Sequence, residues 1–401
     1  MSEVTNANVE MRFEDGSRCN AWTEFTMRDT YTDPLGEMTF TALPPRDRIA
    51  FYQERLQRGK VVKILINNAP QGIFLIQAMS ERIGKNGYEF QATCQTPLVT
   101  AYQGCVDPDY SFSTTNDTPL SRVILDILEP YGFDKVFDDS GSSAAAATGL
   151  GNAKGKRKKR ISIEALKVQE ARAQDGERAY AMCSRLVTRL GLQIRMSADT
   201  DTLGAIMLEA PDYDQAPSYT LVLDSAESPV RINGSRFLGE PPVEIISSND
   251  DQYSECTIRG SRADTSGQTS TSEPYVRVTA EELNPKRPQY SSVAANFKPL
   301  HIKDKNSRDK ERATSTAKLA MGVRAIKAFS ITGEVDGMIA HNGAVWTVGT
   351  MARVVIPDKQ LDEAMFIFER VFTMSRGGGK RTRMKLIPSG SLVLGDVPGS
   401  G

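Results

Sequence analysis

Alternation of apolar and polar residues at a period of two dominates the first hundred positions, the pattern of strands that bury one face. Ala21 to Arg28 carries Trp22 and then Phe25 and Met27, and Glu37 to Leu43 alternates Met38, Phe40 and Ala42. Between them, Asp33 to Gly36 (DPLG) supplies the proline and glycine of a turn. A short helical piece is expected over Arg48 to Gln57. A second hairpin then runs from Val61 to Ile66 and from Gly72 to Met79, joined through Asn67-Asn68, residues that tolerate left-handed backbone. Gly84 to Gly87 (GKNG) turns the chain into Tyr88 to Cys94. A meander of five such strands is enough to close a small barrel or saddle.

From about residue 97 the period changes. Pro119 to Leu128 predicts a helix with Thr118 as its N-cap, stopped by Pro130 and Gly132. Gly141 to Gly155 is rich in Gly, Ala and Ser and is expected as a mobile loop or linker. Apolar positions between Ile163 and Leu190 predict two helices broken near Asp175-Gly176, followed by short strands at Leu192 to Met196 and Gly204 to Leu208. Val243 to Gly260 predicts a strand pair around Asn249 to Asp251, and Arg262 to Glu273 a polar loop. Lys303 to Lys327 is compatible with a helix. Four strands are expected after it, at Phe329 to Val335, Val345 to Ile356, Glu363 to Ser375 and Lys380 to Ile387, with turns at Asn342-Gly343 and Gly377 to Gly379. The hairpin at Ala364 to Met384 repeats the pattern at Gly72 to Phe90, which implies two related β units around an inserted middle.

The expected architecture is therefore α+β, mainly antiparallel β: two small β-barrel domains, at 1–100 and 301–401, flanking an inserted α+β domain at 101–240 with a mobile loop at 140–160, and a β-rich extension and linker at 241–300. At 401 residues the chain exceeds a single core. Its formal net charge of -1 excludes a surface built wholly for polyanions. The five cysteines lie scattered with no CxxC spacing, and read as reduced thiols. The first residues carry no signal-peptide pattern and no run is apolar enough to span a bilayer, so assembly in a cytoplasm is expected.

Candidate chemistry is sparse. Asp107 with Asp109, Asp199 with Asp201, Asp212 with Asp214 and Asp250 with Asp251 all lie in turn-like segments, where Asp serves its own backbone. His301 and His341 stand far apart, and the chain lacks GxSxG and HExxH patterns; Gly149-Leu150-Gly151 has no strand before it and no helix after it. No catalytic residue, metal ligand, cofactor or small-molecule substrate is expected. The densest charge feature is the run Lys154, Lys156, Arg157, Lys158, Lys159 and Arg160. It would suit a polyanion or an acidic protein surface, but no aromatic residue interleaves with it, which favours a solvated loop.

The order of features carries a resemblance. The DPLGEMTFTALPP segment, the strand pair around VVKILINNAPQGIFLIQAMSE and the GYEFQATCQTPLV continuation resemble the opening barrel of phage baseplate hub proteins, the late control D or tail hub family. The stretch from Ala313 to Ser389, with Trp346 and Pro357-Asp358, resembles the closing barrel. The resemblance covers about the first and the last hundred residues. It implies a structural, non-enzymatic subunit of a contractile tail in the virion. Such a subunit is a homotrimer whose two tube-type barrels per chain imitate six tube subunits. It joins the tail tube above to the spike below, with tape-measure and wedge proteins as further neighbours, and DNA passes through its lumen without sequence-specific binding. The alternatives are a tail-tip cell-wall hydrolase and a nucleic-acid-binding protein using the basic run.

Overall fold

The computed structural model describes residues 7–19, 21–85, 87–138, 167–188, 192–196, 205–213, 215–224, 232–248, 250, 252–260, 275–283, 297–304, 310–375 and 377–391. The protein is mainly β with few helices. In the N-terminal part the strands are β1 (Val9–Phe13), β2 (Arg18–Cys19), β3 (Trp22–Thr30), β4 (Asp33–Ala42), β5 (Val61–Ile66), β6 (Ala69–Gly84) and β7 (Gly87–Gln95), with helix α1 (Ile49–Arg55) between β4 and β5. They pair in the order β3-β4-β7-β6-β5-β1-β2. In a flat sheet the six steps from β3 to β2 would span about 29 Å. The link from Cys19 to Trp22 reaches about 11 Å at most, so the sheet must curl. Met27, Met38, Phe40, Ile64, Ile76, Phe90, Ala92 and Cys94 fill its inside.

The C-terminal part holds β19 (Phe329–Asp336), β20 (Met351–Ile356), β21 (Leu361–Ser375) and β22 (Gly379–Pro388), joined by β13 (Tyr219–Val222), β14 (Ser235–Arg236) and β15 (Glu244–Ser247). The ladder runs β19-β22-β21-β20-β13-β14. Just after β14, Phe237 bridges Val335 and Leu238 donates to the Glu334 carbonyl, so the hydrogen-bonded path returns to β19. Trp346 is wholly buried here, its ring 4.7 Å from that of Tyr219, whose hydroxyl donates to the Val345 carbonyl at 2.6 Å.

Both parts repeat one topology. β4 leads through a connection to β5, then into the long hairpin β6–β7, and β7 returns to pair β4; β19 leads to β20, then β21–β22, and β22 returns to pair β19. The likeness extends to an irregularity. A one-residue bulge at Gln77 interrupts the first hairpin and one at Phe368 the second, each seven positions before the last paired residue, Gly84 or Ser375. Beside the bulges the buried triplets Met38–Cys94–Ile76 and Ile331–Leu386–Ile367 correspond. A bulge bends and re-aims a strand, so two at one position make two like curves.

The middle is built from β8 (Ser111–Pro119), β9 (Lys135–Asp138), β10 (Lys167–Arg172), β11 (Gln193–Met196) and β12 (Ala205–Glu209), with helices α2 (Val99–Gln103), α3 (Leu120–Leu128) and α4 (Ala179–Thr188). Leu120, Val123, Ile124, Ile127 and Leu128 form the buried stripe of α3, at helical spacing, against α4. A third core joins β16 (Glu255–Arg259), β17 (Tyr275–Thr279) and β18 (Pro299–Lys303) to the long helix Lys310–Ala328.

Several expectations are corrected. The first of the two helices between 163 and 190 is the strand β10, whose tertiary partner β8 overrides its local helical spacing. The proposed pair within Val243 to Gly260 belongs to two sheets, because β15 pairs β19 whereas β16 pairs β17 and β18. Pro119, not Thr118, is the N-cap of α3, and it offers no side-chain bond. Val345 to Thr350 precedes its strand rather than joining it. DPLG opens β4, and the turn lies one step earlier, at Tyr31-Thr32, between the paired residues Thr30 and Asp33. Asn67 and Asn68 do adopt left-handed backbone, with φ of 51° and 65°, in the hairpin between Ile66 and Ala69.

Candidate assembly interface

The two β units meet edge to edge. Along one side β21 pairs with β20 through Phe366, and past its bulge with β3, from Glu369 opposite Thr30 to Met374 opposite Phe25. The bulge frees the Phe368 carbonyl, which accepts from the Tyr31 amide at 2.8 Å. Arg28 closes on Glu369 at 2.9 Å across the same seam.

Beneath it lies a cluster of four ionised side chains. Both carboxylate oxygens of Asp29 from β3 accept from one nitrogen, Nη2, of Arg195 of β11, at 2.9 and 3.0 Å, while Nη1 of Arg195 donates to Glu209 of β12 at 3.0 Å. Arg370 of β21 approaches Asp29 at 3.4 Å, and donates to Gln71 at 2.8 Å and to the Trp346 carbonyl. The side chain of Arg370 is only 4% exposed, and Asp29 keeps 22%. Each part of the molecule thus contributes: β3 and β6 from the first unit, β11 and β12 from the middle, β21 from the second unit.

Burial by itself would push the Asp29 carboxyl up, but the guanidinium groups of Arg195 and Arg370 outweigh it and hold the carboxyl below its ordinary range. Burial lowers Arg195 too, yet Asp29 and Glu209 more than offset it and leave its pKa raised. Arg370 is lowered, first by burial and then by the neighbouring Arg195. An arginine stays charged even so. A general acid near neutral pH needs a raised carboxyl, whereas here the carboxylate is locked ionised between two cations. The arrangement clamps three parts together. Gly349, at φ +87°, runs beside it, and a Cβ there would lie 3.2 Å from the Tyr31 ring, so the position favours glycine. The cavity at this junction, about 100 Å³, is lined by Asp29, Arg195, Glu209 and Arg370 among others.

The basic run Lys154, Lys156, Arg157, Lys158, Lys159 and Arg160 lies outside the described residues, as do Asp199, Asp201, Asp214 and Asp251. Asp107 serves its turn by accepting from the Asp109 amide at 2.9 Å. His301 lies on β18, and His341 lies in a turn between β19 and β20, where its amide donates to Ser235. Among the described residues no group of three or more His, Cys, Asp or Glu could hold a metal ion. All five cysteines are free, and only Cys105 is exposed. Sequence reasoning passed over Asp29, Arg195, Glu209 and Arg370. Arg370 had a signal: with Glu369 it interrupts an otherwise apolar strand, AMFIFERVF.

Residues 324–390, which hold β19 to β22, match the family model of the NMB1110-like tail protein, C-terminal domain. A tail protein from Neisseria meningitidis MC58 is 13% identical with a TM-score of 0.68, covering 97% of this chain and 98% of that one. The chain has a tail-protein fold. The 43 kDa tail protein of prophage MuSo2 from Shewanella oneidensis shares that fold at 14% identity and a TM-score of 0.69, over 96% of this chain and the whole of its own. Prophage tail protein gp18 from Listeria monocytogenes EGD-e follows at 10% identity and 0.54, over 95% and 94%. The tail-protein fold thus runs through the middle, which the sequence resemblance, confined to the two ends, did not cover. A comparison with curated proteins finds no match.

Proposed function

We propose that the chain is a baseplate hub subunit of a contractile phage tail, a trimeric adaptor between the six-fold tail tube and the three-fold central spike, lining the channel for DNA. The repeated β unit carries this reading: β4-β7-β6-β5 and β19-β22-β21-β20 share order, direction and bulge position within one chain. Three such chains offer six near-equivalent surfaces to a hexameric neighbour, and three equivalent ones to a trimeric neighbour. The tail-protein fold of its structural relatives supports the same role. The function is mechanical, since the charge cluster fixes parts against one another and its carboxylate is held ionised. The test is the mass of the assembled protein in the presence of its tube and spike neighbours. Three copies are expected, and a monomer under those conditions overturns the reading.

A further inference from the structure

The internal seam predicts an external one. In the second unit the outer half of the long strand, Glu369 to Met374 of β21, is covered by β3, and β3 is also the strand that pairs β4. The first unit has the corresponding outer half, Ala78 to Gly84 of β6. Beyond the end of its pairing with β5 at Leu75, that edge meets no strand among the described residues. The second unit has the counterpart of β3 as well. It is β15, which pairs β19 antiparallel as β3 pairs β4, and among the described residues no strand lies on its other side. Among the described residues each chain therefore carries one uncovered acceptor edge and one uncovered donor strand of the kinds already joined within it.

We infer that β15 of one copy adds to the outer edge of β6 in a second copy, reproducing between chains the β3–β21 seam seen within the chain. This rests on the hub reading and names its interface. Equivalence fixes the register. Met38 corresponds to Ile331, so Met27 corresponds to Ile245, and Ile76 corresponds to Ile367, so Glu81 corresponds to Phe372. Phe372 faces Met27 across the internal seam, Thr373 faces Thr26 and Met374 faces Phe25. Between copies Glu81 thus faces Ile245, Arg82 faces Glu244 and Ile83 faces Val243.

The chemistry of those pairs is independent of the topology that chose them. Arg82 meets a carboxylate, and Ile83, 69% exposed in the single chain, meets an aliphatic partner. One step along, Ser80 faces Ile246, a second exposed isoleucine. A bare edge carrying an isoleucine is a liability in a monomer. Glu81 and Arg82 blunt it until a partner arrives. Because every chain carries both halves, the contact is head-to-tail, and it closes as a ring where the internal rotation allows.

The test is disulfide trapping in the full chain with Cys105→Ser, alone and with its tail neighbours. Adjacent pairs in an antiparallel ladder alternate between hydrogen-bonded and non-hydrogen-bonded geometry. Two double variants therefore cover both, Ile83→Cys with Val243→Cys and Arg82→Cys with Glu244→Cys. Covalent species up to three chains are expected on a denaturing gel from at least one. Arg82→Glu should reduce assembly at least several-fold, and adding Glu244→Arg should restore it. A three-copy mass with no cross-link in either variant overturns this interface and leaves the hub reading standing. A monomer in every condition overturns both, and an open ladder of larger species overturns the ring while keeping the strand pair.

Discussion

Replacing Asp29 by Asn removes one negative charge from a cluster that balances Asp29 and Glu209 against Arg195 and Arg370. What remains is an excess cation, and Arg370, 4% exposed, is largely shielded from bulk solvent. Breaking a buried ion pair costs about 3–5 kcal/mol. Asp29 keeps 22% of its side chain exposed, and solvent screens part of the interaction, so about 2–3 kcal/mol is expected. The assay is chemical denaturation followed by tryptophan fluorescence, since Trp346 is bonded through its carbonyl to Arg370. Arg370→Met is the natural second variant, because Met79 holds the corresponding place in the first unit. The pair Asp29→Asn with Arg370→Met leaves Arg195 and Glu209 balanced. Its loss should fall short of the summed single losses by at least about 1 kcal/mol. A single-variant loss under about 0.5 kcal/mol, or strict additivity, refutes the account.

Acid should act through the same residue. A carboxyl whose folded pKa is depressed contributes stability that is complete above the unfolded value of about 3.9 and is lost as pH falls through the folded one. The denaturation midpoint of the native chain should therefore fall below about pH 4 more steeply than that of Asp29→Asn. Thiol reagents should distinguish the cysteines: Cys105 reacts in the folded protein, while Cys19 and Cys94, buried and pushed up to about 11 and about 12, react only after unfolding. Two equivalents reacting at once would contradict this. Replacing Lys156 to Arg160 by Gln should change stability by no more than about 0.5 kcal/mol, read from the same denaturation curve.

Strands with one buried face were legible because their alternation is local: β3, β5 and β7, and β19, β21 and β22, lie within two residues of the expected segments, while β4 starts four residues earlier than expected and β6 runs three residues further at its start and five at its end. Asn67-Asn68 was legible because its backbone preference belongs to the residues themselves. What escaped depends on partners distant in sequence. β10 is a strand because β8 accepts it, and β15 sits on β19 rather than on its neighbour β16. The charge cluster escaped for the same reason, since Asp29 and Arg195 are 166 positions apart and each alone reads as an ordinary solvent-facing charge. The equivalence of the two hairpins was visible as a pattern of apolar strand, glycine turn and strand. The bulges that make it specific need the register of both strands.

The seam between β3 and β21 also sets an order on biosynthesis. Arg28 and Glu369 are separated by 341 positions, so at about 5–20 residues per second roughly 17 to 68 s pass between their emergence from a ribosome. Throughout that interval the outer edge of β3 has no strand of its own chain to cover it. A polypeptide that stops short of Glu369 never acquires one. It should therefore aggregate or be degraded, so that the β21–β22 hairpin decides which nascent chains become soluble enough to assemble.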